Sequence, residues 1–276
     1  MRTKLLITSA VLCGLVFAGC DKDEDGIRVD PGIEKAFQTR YPSANRVEWE
    51  KKAGYYVAEF WNNNAETEAW FSGDAVWHMT ETDVRYDDLP LAVRDGFMAS
   101  DYADWRIDDI DMLECAGVET VYIIEVEQGN REYDLYFSTE GVLVKAVAEG
   151  GGQREPHPSE GLETLKNFIA GKYPNARIMD VDQERDRIEI DIIDGRTSRE
   201  VVFSLSGEWS YTKTEVRRAD VPSVVLNTLA ASEYNSWKID DIDHFETPSG
   251  HYYLFELESG NREINLKIGT DGQILY

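Results

Sequence analysis

The chain has 276 residues, enough for two modest domains. It carries 53 acidic and 28 basic residues, a net charge of −25. Such a field repels nucleic acid and anionic lipid headgroups, so neither is expected as a partner of the folded part.

The first 20 residues stand apart. Arg2 and Lys4 precede an uncharged apolar run, Leu5 to Phe17, followed by Ala18, Gly19 and Cys20. The run is shorter than the roughly 20 residues a membrane-spanning helix needs, and 1–19 reads as a signal peptide. Phe17-Ala18-Gly19-Cys20 resembles a bacterial lipobox, which implies that Cys20 is acylated and begins the mature chain. Its acyl chains would be the only membrane contact. Residues 20–30 form an acidic tether, in which Asp21 to Gly26 resembles the export signal of Bacteroidetes surface lipoproteins. Asp21, Asp23, Asp25 and Gly26 also fit the first half of a calcium loop, but Gly32 stands where its bidentate glutamate belongs. Cys13 leaves with the signal and Cys20 carries lipid, so Cys115 has no disulfide partner and reads as a small packed residue in a strand.

Helices are predicted over 33–41, 91–102, 161–173 and 221–234, from apolar residues three and four apart. Pro42 and Pro174 stop the first and third, and Ser159 is the expected N-cap of the third. Strands follow each helix. Tyr133, Leu135 and Phe137 alternate with Glu132, Asp134 and Tyr136, Ile188, Ile190 and Ile192 with Glu189 and Asp191, and Val201, Phe203 and Leu205 with Glu200, Val202 and Ser204. A period of two with one apolar face predicts antiparallel sheets that are wet on the other side.

The pattern is duplicated. Arg40-Tyr41-Pro42 returns as Lys172-Tyr173-Pro174, and Ile107-Asp108-Asp109-Ile110-Asp111 returns unchanged as Ile239-Asp240-Asp241-Ile242-Asp243, both 132 positions later. Gly129-Asn130-Arg131-Glu132 returns as Gly260-Asn261-Arg262-Glu263. The expected organisation is α+β. Domain 1 spans 31–148, a Gly/Pro linker spans 149–158, and domain 2 spans 159–276. Each domain holds two units of a helix and about four antiparallel strands, with helices on one sheet face. The aspartates of the repeated Ile-Asp-Asp-Ile-Asp are expected in the loop entering a strand.

Helix-plus-four-strand units in pairs, with a Tyr-Pro-x-Ala turn (Tyr41 to Ala44, Tyr173 to Ala176), resemble the PepSY-like, β-lactamase-inhibitor-like proteins of Bacteroidetes. The resemblance covers residues 30–276. It implies a periplasmic or surface binding module, and the inhibitor relatives bind a protein enzyme through the wet sheet face.

No constellation for catalysis appears. The four histidines, His78, His157, His244 and His251, do not align between the copies and show no zinc spacing. No phosphate-cradling glycine loop follows a strand. Glu125, Glu127, Glu256 and Glu258 read as a solvated sheet face. No catalytic residue, metal or cofactor is therefore assigned.

Comparison of the copies separates packing from surface. Tyr56, Ala58, Phe60, Phe71 and Trp77 match apolar residues in the second copy and read as core. Tyr55, Trp61 and Trp70 match Arg187, Ile193 and Val202 and are placed on the wet face. His78 joins them, on the face opposite Trp77 and Met79. These four residues form the expected partner-binding patch, exposed and aromatic. The expected function is that of a monomeric, lipid-anchored, noncatalytic binding protein of the outer membrane, facing the periplasm or the cell surface. It would grip a protein or peptide, as an inhibitor in one version. The alternative is capture of a carbohydrate or small ligand by stacking on the same rings.

Overall fold

Alternating residues and tight turns join neighbouring segments into hairpins, and the hairpins run on into sheets. The computed structural model describes residues 27–148 and 162–275. The signal peptide, Cys20, the calcium-loop match, residues 20–26 of the tether, the linker with His157, and Ser159 lie outside the described residues. The first sheet comprises β1 (Asn45–Lys52), β2 (Tyr55–Asn62), β3 (Ala65–Phe71), β4 (Trp77–Asp83), β5 (Arg106–Cys115), β6 (Val121–Gln128), β7 (Arg131–Ser138) and β8 (Leu143–Ala148). The second comprises β9 (Arg177–Gln183), β10 (Arg187–Asp194), β11 (Thr197–Ser204), β12 (Trp209–Glu215), β13 (Lys238–Thr247), β14 (Gly250–Ser259), β15 (Arg262–Gly269) and β16 (Ile274–Leu275). In each sheet every strand pairs with its neighbour in sequence.

In chain order, α1 (Pro31–Arg40) precedes β1–β4, and α2 (Leu91–Met98) precedes β5–β8. In the same way α3 (Leu162–Lys172) precedes β9–β12, and α4 (Ser223–Ala231) precedes β13–β16. Asp30 caps α1 by accepting from Gly32 N at 2.7 Å, and Pro31 suits the first turn because it has no N–H to leave unpaired. α2 and α4 stop short of the expected Tyr102 and Tyr234. Ser100 and Ser232 turn their hydroxyls back onto the carbonyls of Phe97 and Leu229, each at 2.7 Å, and the chain leaves the helix there. No helix among the described residues is long and apolar enough to cross a membrane.

Four cores mix helix and strand residues. Ile33 and Phe37 cluster with Phe60 and Phe71; Val93 and Phe97 with Leu135 and Phe137. Leu165 and Ile169 cluster with Ile192 and Phe203; Val225 and Leu229 with Phe255 and Ile268. Each such side chain contributes about 1.5–3 kcal/mol when fully buried.

Three expectations need correction. Trp77 and Met79 do not share a face: Phe71 pairs with Trp77 but Trp70 with Met79, so His78 is the extra residue of a bulge. Trp77 therefore packs with the α1 core, while Met79 lies with Val57 and Trp70. The aspartates of Ile-Asp-Asp-Ile-Asp lie inside β5 and β13 rather than in a loop. The register shifts there, and Asp109 and Asp241 accept from the next backbone N–H at 3.0 and 2.8 Å. Leu205 is exposed, because β11 ends at Ser204.

Candidate functional site

The sheet faces opposite the helix cores meet one another. Val57, Trp70, Met79 and Ile123 of the first sheet share a buried cluster with Met179 and Ile193 of the second. Glu119 N donates to Ile178 O at 2.8 Å, and Ser198 Oγ donates to Val144 O at 2.6 Å. Arg177 pairs with Glu140 at 2.7 Å. These contacts close one end of the space between the sheets. They leave a cleft of about 1160 Å³ lined by residues of both.

A charged knot crosses the cleft. Lys145 Nζ, on β8, lies 2.6 Å from Asp180, 2.8 Å from Asp182 and 3.1 Å from Asp191, on β9 and β10. Burial opposes the lysine charge, but the three carboxylates outweigh it and raise its pKa. Burial pushes Asp191 up to about 7, with Lys145 pulling it back and Asp180 adding to the rise. A similar knot sits on β1–β3. There Lys52 Nζ lies 2.5 Å from Glu50, 3.2 Å from Glu68 and 3.6 Å from Glu59. In both places a lysine ammonium occupies the centre that a metal ion would take.

The predicted patch is only partly assembled. Tyr55 stands 6.0 Å from Trp70 and 5.1 Å from His78, ring to ring. Trp61 makes no ring contact with them and lies under Arg46 instead. Trp70 is 5% exposed and so is not the surface ring expected of it. It belongs to the cluster that joins the sheets. Tyr55, Trp61 and His78 are half-buried. Burial lowers the His78 pKa against the pull of Asp74. Cys115 is buried in the same cluster. Burial, then nearby Asp180 and Glu81, push its thiol up to about 12, which disfavours the reactive thiolate.

The knot around Lys145 was not singled out from sequence. Asp180, Asp182 and Asp191 alternate with apolar residues, as any solvated strand face does. Only the meeting of the sheets distinguishes them.

The family model for beta-lactamase-inhibitor-like, PepSY-like proteins matches residues 54–145 and again 186–276. The chain is similar to a BLIP-like protein from Bacteroides fragilis, at 36% identity over 50% of this chain and 99% of that one, with a TM-score of 0.46. It is also similar to a DUF2874 family protein from Bacteroides ovatus, at 31% identity over 50% of this chain and 99% of that one, TM-score 0.45. A third, from Bacteroides uniformis, shares 29% identity over 44% of this chain and 90% of that one, TM-score 0.42. No curated protein matches. The two matched stretches coincide with the duplication read from the sequence, and the chain belongs to the PepSY-like, beta-lactamase-inhibitor-like family.

Proposed function

We propose that this protein is exported, anchored through a lipid on Cys20, and holds a protein or peptide in the cleft between its sheets without catalysing a reaction. The cleft itself carries the reading. Helices cover one face of each sheet, and the opposite faces are left to bound a space with an apolar wall and charged rims. The inhibitor-like description of the family agrees with a protein ligand. On this reading 31–148 and 159–276 are the two halves of one binding device, joined by the linker at 149–158. Sugar stacking is the weaker alternative, because it needs an open ring face and Trp70 offers almost none.

A photo-crosslinking residue placed at Glu184, exposed on the cleft rim, should trap a discrete protein in envelope extract. The same residue at Leu91, on the exposed side of α2, should trap none. Equal labelling from both positions, or from Leu91 alone, would reject the cleft as the binding face. Labelling of cells with a palmitate analogue should mark the wild type and leave Cys20→Ala unmarked. Incorporation in both would rule out Cys20 as the anchor.

A further inference from the structure

Both sheets set carboxylates directly opposite one another on the face away from the helices. In the first, Asp83 opposes Asp111 and Asp109 opposes Glu125. In the second, Glu215 opposes Asp243 and Asp241 opposes Glu256. Like charges facing across adjacent strands are destabilising where no cation compensates them, and the same register recurs in both copies.

The second set borders the cleft: Glu215, Asp241 and Asp243 line it, with Asp101 of the first half nearby. Asp243 is only 8% exposed, and its carboxylate makes no hydrogen bond or ion pair among the described residues. The cation that acts on it, Lys213, is engaged by Glu200 at 3.0 Å. A buried carboxylate without a direct ion pair is costly, and Lys213 offsets only part of that cost. Elsewhere the protein meets that cost with its own lysines, Lys52 and Lys145, in the two acidic groups whose oxygens converge within 4.8 Å. Glu215, Asp241 and Asp243 form no such tight group among the described residues. Carboxylates that do not converge on one point suit a broad cation better than a bare ion. A guanidinium, planar and with five donors, bridges separated carboxylates.

We propose that the Glu215–Asp241–Asp243 corner of the cleft receives an arginine side chain from a basic segment of the bound protein. This rests on the binding role proposed above and names the partner's chemistry. Burial raises the pKa of Asp243 to about 6, with Asp241 adding, Lys213 opposing, and Glu215 and Glu256 adding further. Burial, with Asp241 and Asp101, likewise raises Glu215. A guanidinium favours the ionised carboxylates, so binding weakens as pH falls through about 6.

The probe is a fluorescein-labelled Gly-Ser peptide bearing arginines, with a citrulline counterpart as its neutral control. Anisotropy is read on the detergent-solubilised full chain at about 0.15 M salt, where long-range attraction is screened. The arginine peptide should bind and the citrulline peptide should not. Asp241→Asn/Asp243→Asn should weaken binding about tenfold or more, and Glu215→Gln in the same direction. Asp220→Asn/Asp240→Asn removes the same charge from exposed sites and should change affinity less than about twofold. Equal losses in the two double variants, equal binding of both peptides, or no binding of the arginine peptide would overturn the assignment. Calcium that displaces the peptide from the wild type and fails to bind the cleft double variant would give the corner to a metal ion instead. If the crosslink from position 184 persists undiminished in Asp241→Asn/Asp243→Asn, the arginine site is wrong while the cleft reading stands. If no crosslink forms in any variant, the cleft reading itself fails.

Discussion

Lys145→Met is expected to destabilise the folded chain by about 3–5 kcal/mol at pH 8, read as a lower denaturant midpoint. The substitution keeps an unbranched side chain, one atom shorter, and removes the charge with its hydrogen-bond donors. Asp180, Asp182 and Asp191 would then lose the cation they share, two of them with side chains only 10% and 12% exposed. The loss should shrink toward pH 5, because protonation relieves the repulsion. Asp191→Asn should behave in the opposite way. The folded pKa of Asp191 is raised to about 7 from an ordinary 3.8, so the folded chain binds the proton more tightly than the unfolded one. Its contribution is fully present below about 4 and is lost as pH rises through about 7. Asparagine removes that slope, leaving Lys145 with two carboxylates, and stability at pH 8 should hold or rise. Lys145 has a raised pKa and gives up its contribution only in strongly alkaline solution. A cost for Lys145→Met below about 1 kcal/mol at pH 8 would mean that the knot does not hold the sheets together.

What was legible in the sequence is local or periodic. Tyr41-Pro42 and Tyr173-Pro174 mark helix ends because proline acts on its own neighbours. The alternation of Ile188, Ile190 and Ile192 names a face because a strand has only two. The duplication supplies its own comparison, which placed Phe60, Phe71 and Ile192 in the core, where they lie. What escaped was set by single insertions and by distant partners. Trp77-His78-Met79 reads as unbroken alternation, yet one bulged residue moves Met79 to the other face. Trp70 was given its correct side of the sheet, but its burial comes from the cluster shared with Met179 and Ile193, more than a hundred residues along the chain. Lys145 looks like any outward lysine until β9 and β10 bring three carboxylates to it. Asp243 looks like any outward aspartate until its burial is known.

The largest steric effect is expected at Gly141, in the turn between β7 and β8. Its φ is +75°, a region that side chains with Cβ rarely adopt. A Cβ there would stand 1.9 Å from Ala92 O and 2.5 Å from the carbonyl carbon, and a Cβ on Gly96 would stand 2.1 Å from Gly141 O. These are backbone atoms and cannot swing aside, so Gly141→Ala must push α2 off the hairpin, at a cost of about 3 kcal/mol or more. The second copy builds the corresponding junction differently. Thr228 stands where Gly96 does, 132 positions on, and its Oγ1 donates to Gly272 O at 2.7 Å. A Cβ on Gly272, at φ +85°, would meet Val224 Cγ2 at 2.8 Å and Thr228 Oγ1 at 3.2 Å, which are side-chain atoms and give more readily than backbone. Gly272→Ala should therefore cost less, about 1–2 kcal/mol. Urea midpoints of the two variants test the order, and an equal or reversed order would refute the steric account. The first copy joins helix to hairpin by close backbone approach, and the second by a hydrogen bond. Both devices hold a helix against one side of its sheet, and the opposite sides share the buried cluster and line the cleft.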